Sequence, residues 1–179
     1  MTDTAYPPLE SMVRELWDRQ QIADVMLSFG RALDTHDWSR YATTLTDPFD
    51  VDFYDLTGLP AGRTTPELWA RFAENALGPL VVLHRYTNFH IDLAPDGDPD
   101  HAHAIVYHVS RHRKPNKSGD DHYTQYGWYD NDLVRTPEGW RINRLKHQFQ
   151  WADGNPNLID GSDPDFQKMA GEIFGTDPQ

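Results

Sequence analysis

The stretch FGRALDTHDWSRY, residues 29–41, sets Asp34 beside the apolar stripe of a helix, near the helix C-terminus. The helix dipole disfavours negative charge there, so a carboxylate at that place needs a partner. Partners of suitable chemistry are plentiful downstream: His84, His90, His101, His103, His108, His112, His122 and His147 crowd the second half of the chain, and only His36 stands apart. Histidine beside a carboxylate is the ordinary means of moving protons near neutral pH, because the unperturbed imidazole titrates at about 6.5. The plainer alternative is that Asp34 only bonds to the turn that follows it.

Other chemistries fare worse. HAH, His101 to His103, resembles half of a metal motif, but it lies beside the DGDPD turn at a strand end with no glutamate at the required spacing, so no metal site is expected. The chain has no cysteine, which removes thiolate ligands, disulfides and a cysteine nucleophile. It also lacks a G-x-S-x-G elbow and a glycine-rich phosphate loop. Acid–base work by side chains, with no cofactor, is the chemistry that remains.

Helices must position these groups first. Ile22, Val25, Met26, Phe29 and Leu33 fall at helical spacing and predict a helix over residues 9–34 that lies on a sheet. Asp37 is a plausible N-cap for a second short helix ending before Pro48. FDVDFYDL, residues 49–56, alternates like a half-buried strand, and LTGLPAGR after it reads as turn. A third helix is marked by Thr65 as N-cap, Pro66 at its first position and Gly78-Pro79 as its stop. Four antiparallel strands follow, at about 83–93, 102–113, 122–135 and 140–151, with a tight TPEG hairpin between the last two. On the second of these, Ala104, Val106, His108, Ser110 and His112 share one face, and His84 at the start of the first is expected to be half buried. Phe166, Met169, Ala170, Ile173 and Phe174 form an amphipathic tail helix suited to docking on the body or on a neighbouring subunit.

Helices first and strands afterwards predict an α+β domain whose helices cover a curved, mostly antiparallel sheet and enclose an apolar pocket. One domain over 9–151 and an extension over 152–179 with a docking helix fit the length of 179 residues. A net charge of -12 argues against a nucleic-acid partner, and the basic run RHRKPNK, residues 111–117, reads as a solvated loop. No stretch is apolar enough to span a membrane, and MTDTAYPPLE lacks the pattern of a secretory leader, so a cytoplasmic location is expected.

The order of elements, together with LDTHDWSRY, LHRYTN and GWYDNDLVRTPEGWRINRLKHQFQW, resembles the NTF2-like superfamily in its SnoaL-like branch, over about residues 9–151. Such proteins are cone-shaped α+β barrels. Within the branch the scytalone dehydratases are most similar in function, and their catalytic aspartate falls on Asp34. Their two catalytic histidines fall on His84 and His108, and a pocket valine falls on Val106. The Asp34 and His84 pair is also similar to the dyad of hexachlorocyclohexane dehydrochlorinases and of a bile-acid dehydratase. The two water-holding tyrosines of the dehydratases fall on Leu33 and Phe53, with Tyr54 adjacent, and Trp128 or Tyr129 is the available replacement. The resemblance implies a lyase that removes water or a similar group from a small hydrophobic, cyclic hydroxy-carbonyl compound, working as a homo-trimer or dimer. An isomerase or polyketide-type cyclase with the same dyad is the near alternative. A non-catalytic ligand-binding or subunit-supporting module is the distant one.

Overall fold

The structure, a computed structural model, describes residues 6–175 except 116 and 118. The N-terminal stretch read above as lacking a leader lies partly outside the described residues, as does Asn116 of the basic run. Helix α1 spans Leu9–Thr35 and buries Ile22, Met26, Phe29 and Leu33 along one stripe. It ends because His36 takes a left-handed φ of 55° and returns its N–H to the carbonyls of Ala32 and Leu33. Helix α2, Trp38–Ala42, starts where Asp37 accepts the Arg40 N–H at 3.0 Å. Helix α4, Pro66–Leu77, starts at Thr65, whose hydroxyl accepts the Leu68 N–H.

Between these helices the chain departs from the expected pattern. Strand β1 is Leu45–Asp52, and Tyr54–Thr57 is a short helix, α3, where a continuous strand over 49–56 is expected from the alternation. Asp52 ends the strand by accepting the Tyr54 N–H, which turns the backbone into α3. Part of the stretch expected as turn is strand β2, Gly62–Thr64, which pairs antiparallel with β1.

The long strands are β3 (Val81–Leu93), β4 (His101–Arg113), β5 (His122–Thr136) and β6 (Gly139–Gly154). They join β1 and β2 in one open, curved sheet of order β2-β1-β6-β5-β4-β3, antiparallel except between β1 and β6. Two irregularities in the β5–β6 register let two residues of β6 oppose one of β5, which bends that strand. Arg111, His112 and Arg113 belong to β4 rather than to a loop, and Arg113 is paired with Asp121 at 3.0 Å. A turn of 3-10 helix, Pro156–Leu158, leads to helix α5, Pro164–Phe174, whose N-cap Asp163 also accepts the Asn75 amide from α4 at 3.1 Å. The α5 backbone runs directly over β2: a Cβ built at Gly62 would meet the Ile173 carbonyl at 2.1 Å. No described helix is long and apolar enough to cross a membrane.

The core lies between the inner sheet face and the helices. Ala102, Ala104, Val106, Leu133, Ile142 and Leu145 are fully buried beneath the α1 stripe. Small alanines on β4 allow α1 to settle on the sheet. At the far end, α1 is clamped by Asp18, which accepts both terminal nitrogens of Arg135 at 2.9 Å and the Trp140 indole at 3.3 Å. The guanidinium lies 4.5 Å from the Trp140 ring centre. The Arg135 bond holds the Asp18 carboxyl below the usual carboxylate range, against the opposing effect of burial.

Asp18→Asn is expected to destabilise the fold by about 2 kcal/mol at neutral pH, measured by urea unfolding, because it leaves Arg135 without its buried counter-charge. The lowered carboxyl sets the sign: the clamp stabilises above the unfolded value of about 3.9 and weakens as pH falls through the folded one. The gap between wild type and variant should therefore close in acid.

Candidate active site

The hollow of the sheet holds a cavity of about 300 Å³. One wall is aromatic. Trp69 and Phe72 of α4 stack at 5.4 Å, Phe72 stacks on Phe166 of α5 at 4.6 Å, and Phe53 leans on Trp69 at 5.3 Å. The other wall is the sheet, which contributes His84, Ser110, His112, Gln125, Tyr129 and His147. No Lys, Arg, Asp or Glu is among the described lining residues.

Asp34 and His84 meet at the edge of this cavity. A single carboxylate oxygen, Asp34 Oδ1, accepts the His84 backbone N–H at 2.8 Å and its ring Nδ1 hydrogen at 2.8 Å. The His84 side chain is 4% exposed and that of Asp34 13%, so water competes little for the bond. An ionised carboxylate can only accept, which fixes the neutral ring with its hydrogen on Nδ1 and its lone pair on Nε2. The pair can therefore take a proton at Nε2, and the carboxylate steadies the imidazolium that results.

The other inner histidines are held neutral. Burial pushes His112 and His147 down to about 4 and His108 to about 3, and repulsion from the neighbouring imidazoles acts in the same direction. Burial also raises the phenols of Tyr41 and Tyr129, so both keep their hydrogens. Tyr41 accepts the Trp69 indole N–H at 2.7 Å, which leaves its own O–H available to donate.

The remaining expected site residues divide. Leu33, Phe53 and Tyr129 line the cavity. Val106 is buried in the core below it. His108 lies behind the lining, packed on Tyr129 at 4.9 Å and His147 at 4.7 Å, and reaches the cavity only through Ser110, whose hydroxyl is 2.9 Å from its Nδ1. Two expectations are corrected. Trp128 occupies the outer sheet face, stacked on Tyr107 at 5.4 Å, because β4–β5 pairing sets it opposite Tyr107 and turns its neighbour Tyr129 inward. Tyr54 is 61% exposed, because α3 replaces the strand that would have carried it along the sheet. Away from the cavity, His101 and His103 are paired with Asp96 and Asp132 at 2.8 Å.

His112, His147, Tyr41 and Trp69 complete the site without having been singled out by sequence. His112 shares the inward face of β4 with His108, so strand alternation already contained that signal. His147 is masked by the β6 register shift: Ile142 faces inward, and so do Leu145 and His147 on the opposite parity.

A six-stranded curved sheet covered by N-terminal helices, with its polar groups gathered in the hollow, is the α+β architecture of NTF2-like and cystatin-like proteins. The chain belongs to the family of SnoaL-like domains, whose model matches residues 14–146. An uncharacterized protein of Mycobacterium tuberculosis is 27% identical over 135 residues, covering 74% of this chain and 85% of that protein. Among solved structures, a candidate scytalone dehydratase from Novosphingobium aromaticivorans superposes with a TM-score of 0.66 at 17% identity, over 78% of this chain and 88% of the other. Hexachlorocyclohexane dehydrochlorinase LinA-type3 from Novosphingobium barchaimii does so with a TM-score of 0.66 at 15% identity, over 82% and 96%.

The ring nitrogens of His108, His112 and His147 should show no titration between about pH 5 and 8 in nitrogen-15 NMR spectra. Because these rings bind protons less readily folded than unfolded, unfolding free energy should fall as pH drops below about 6.5 and level off only below the folded values.

Proposed function

We propose that the protein is a lyase that eliminates water, or a comparable leaving group, from a small hydrophobic cyclic hydroxy-carbonyl compound by side-chain acid–base chemistry. The observation that carries this reading is the Asp34–His84 pair, 2.8 Å apart, bordering an apolar cavity of about 300 Å³. In the proposed reaction His84 Nε2 removes the hydrogen from the carbon next to the carbonyl, and Asp34 stabilises the charged ring. The electron pair of the C–H bond becomes the new C=C bond as the C–O bond breaks. The departing hydroxyl takes the proton back from His84, which leaves as water and restores the neutral ring.

Tyr41 and Tyr129 are the phenols suited to donate to the carbonyl oxygen while charge builds on it. His108 is a positioning residue in this scheme, acting through Ser110. The dehydrochlorinase of similar fold is supporting company for an elimination, though at 15% identity the likeness concerns fold. The neutral, aromatic cavity favours a hydrophobic substrate of one or two rings.

The test is a screen of cyclic β-hydroxy ketones, read by mass spectrometry for loss of one water. Asp34→Asn and His84→Gln should each reduce turnover by on the order of a hundredfold or more, with smaller changes in KM. A product of unchanged mass would establish an isomerase or cyclase instead. Unchanged turnover in both variants would sink the dyad.

A further inference from the structure

The sheet wall of the cavity also carries information about what it binds. His112 Nδ1 lies 3.2 Å from the Tyr123 backbone carbonyl. A carbonyl only accepts, so Nδ1 holds the hydrogen and Nε2 the lone pair. No described residue hydrogen-bonds to that Nε2, and the ring lines the cavity. His84 is fixed in the same tautomer by Asp34, and the two rings stand perpendicular with centres 6.2 Å apart. His147 lines the cavity too, is 2% exposed, and its Nδ1 has no hydrogen-bond partner among the described residues. A buried nitrogen without a partner costs free energy that a bound ligand can recover.

Charge narrows the choice of ligand. With no Lys or Arg among the lining residues, a carboxylate or phosphate entering the cavity would lose its hydration with no cation to replace it. The aromatic wall of Phe53, Trp69, Phe72 and Phe166 faces this sheet wall and suits a flat ring system.

We propose that the cavity selects a neutral aromatic ligand by accepting a hydrogen bond from its hydroxyl group at His112 Nε2, which makes His112 the specificity-determining residue of the site. The inference rests on the cavity being the substrate site. It does not require proton transfer by Asp34 and His84. A site built to pair with a hydroxyl rejects the analogue lacking it, because its own polar group is then buried without a partner.

Isothermal titration calorimetry with 2-naphthol, 2-methoxynaphthalene and 2-naphthoate on the full chain tests this. The naphthol should bind at least about tenfold more tightly than its methyl ether or the carboxylate. His112→Phe should lower naphthol affinity to that of the ether and leave the ether unchanged. Should that variant fail to fold, the wild-type His112 Nε2 nitrogen-15 resonance serves: it should move on adding naphthol and stay put on adding the ether. Equal affinity for naphthol and ether, no measurable naphthol binding, tightest binding of naphthoate, or a naphthol preference that survives His112→Phe overturns the proposal. Repeating the titrations in Asp34→Asn separates the two readings. Naphthol preference kept there, with no elimination by the wild type on any substrate, would refute the lyase alone, and equal affinity for naphthol and ether in a wild type whose turnover falls in Asp34→Asn would refute the recognition alone.

Discussion

Asp34 Oδ1 takes two hydrogens from one residue, the backbone N–H and the ring N–H of His84, and much of the arrangement depends on this double bond. The backbone contact ties the C-terminal turn of α1 to the start of β3. The ring contact settles which nitrogen of His84 is basic. The adverse helix dipole at that end is offset by two good donors in a place where water hardly competes. One side chain therefore fixes where the helix lies and what the histidine can do, so geometry and reactivity are coupled at a single atom.

Around that pair the cavity is divided by polarity. The helices present aromatic rings, and the sheet presents imidazoles, phenols and a hydroxyl. Burial disfavours the charged form of His108, His112 and His147, while His84 has a carboxylate within hydrogen-bonding distance. The asymmetry follows from where α1 ends: its last turn delivers one acid to one ring and leaves His108, His112 and His147 to backbone, serine or no partner.

Much of this was legible in the sequence where the signals are local. Thr65, Pro66 and Gly78 bracket α4 as their cap and stop chemistry requires, and the TPEG turn pins the β5–β6 hairpin. Asp34 and His84 stood out through an awkward charge and a family resemblance. The losses occurred where the decision is non-local. FDVDFYDL alternates like a strand throughout, but β1 starts earlier, lies parallel to β6 and stops at the Asp52 bond, none of which its own pattern encodes. Trp128 and Tyr129 are adjacent on one strand, and only pairing with β4 decides which of them faces the cavity. His147 was hidden because an extra residue in β6 reverses the inward parity, an offset that hydropathy cannot display.

Helix α5 supplies Phe166 and Phe174 to the aromatic wall, although it follows every strand of the sheet along the chain. During synthesis, α4 and β2 emerge long before the element that covers them. Phe166 and Phe174 of α5 cover the side of Trp69 and Phe72 that would otherwise face water. Without α5 that wall would be a bare hydrophobic patch, the kind of surface that chaperones hold and that aggregates form from.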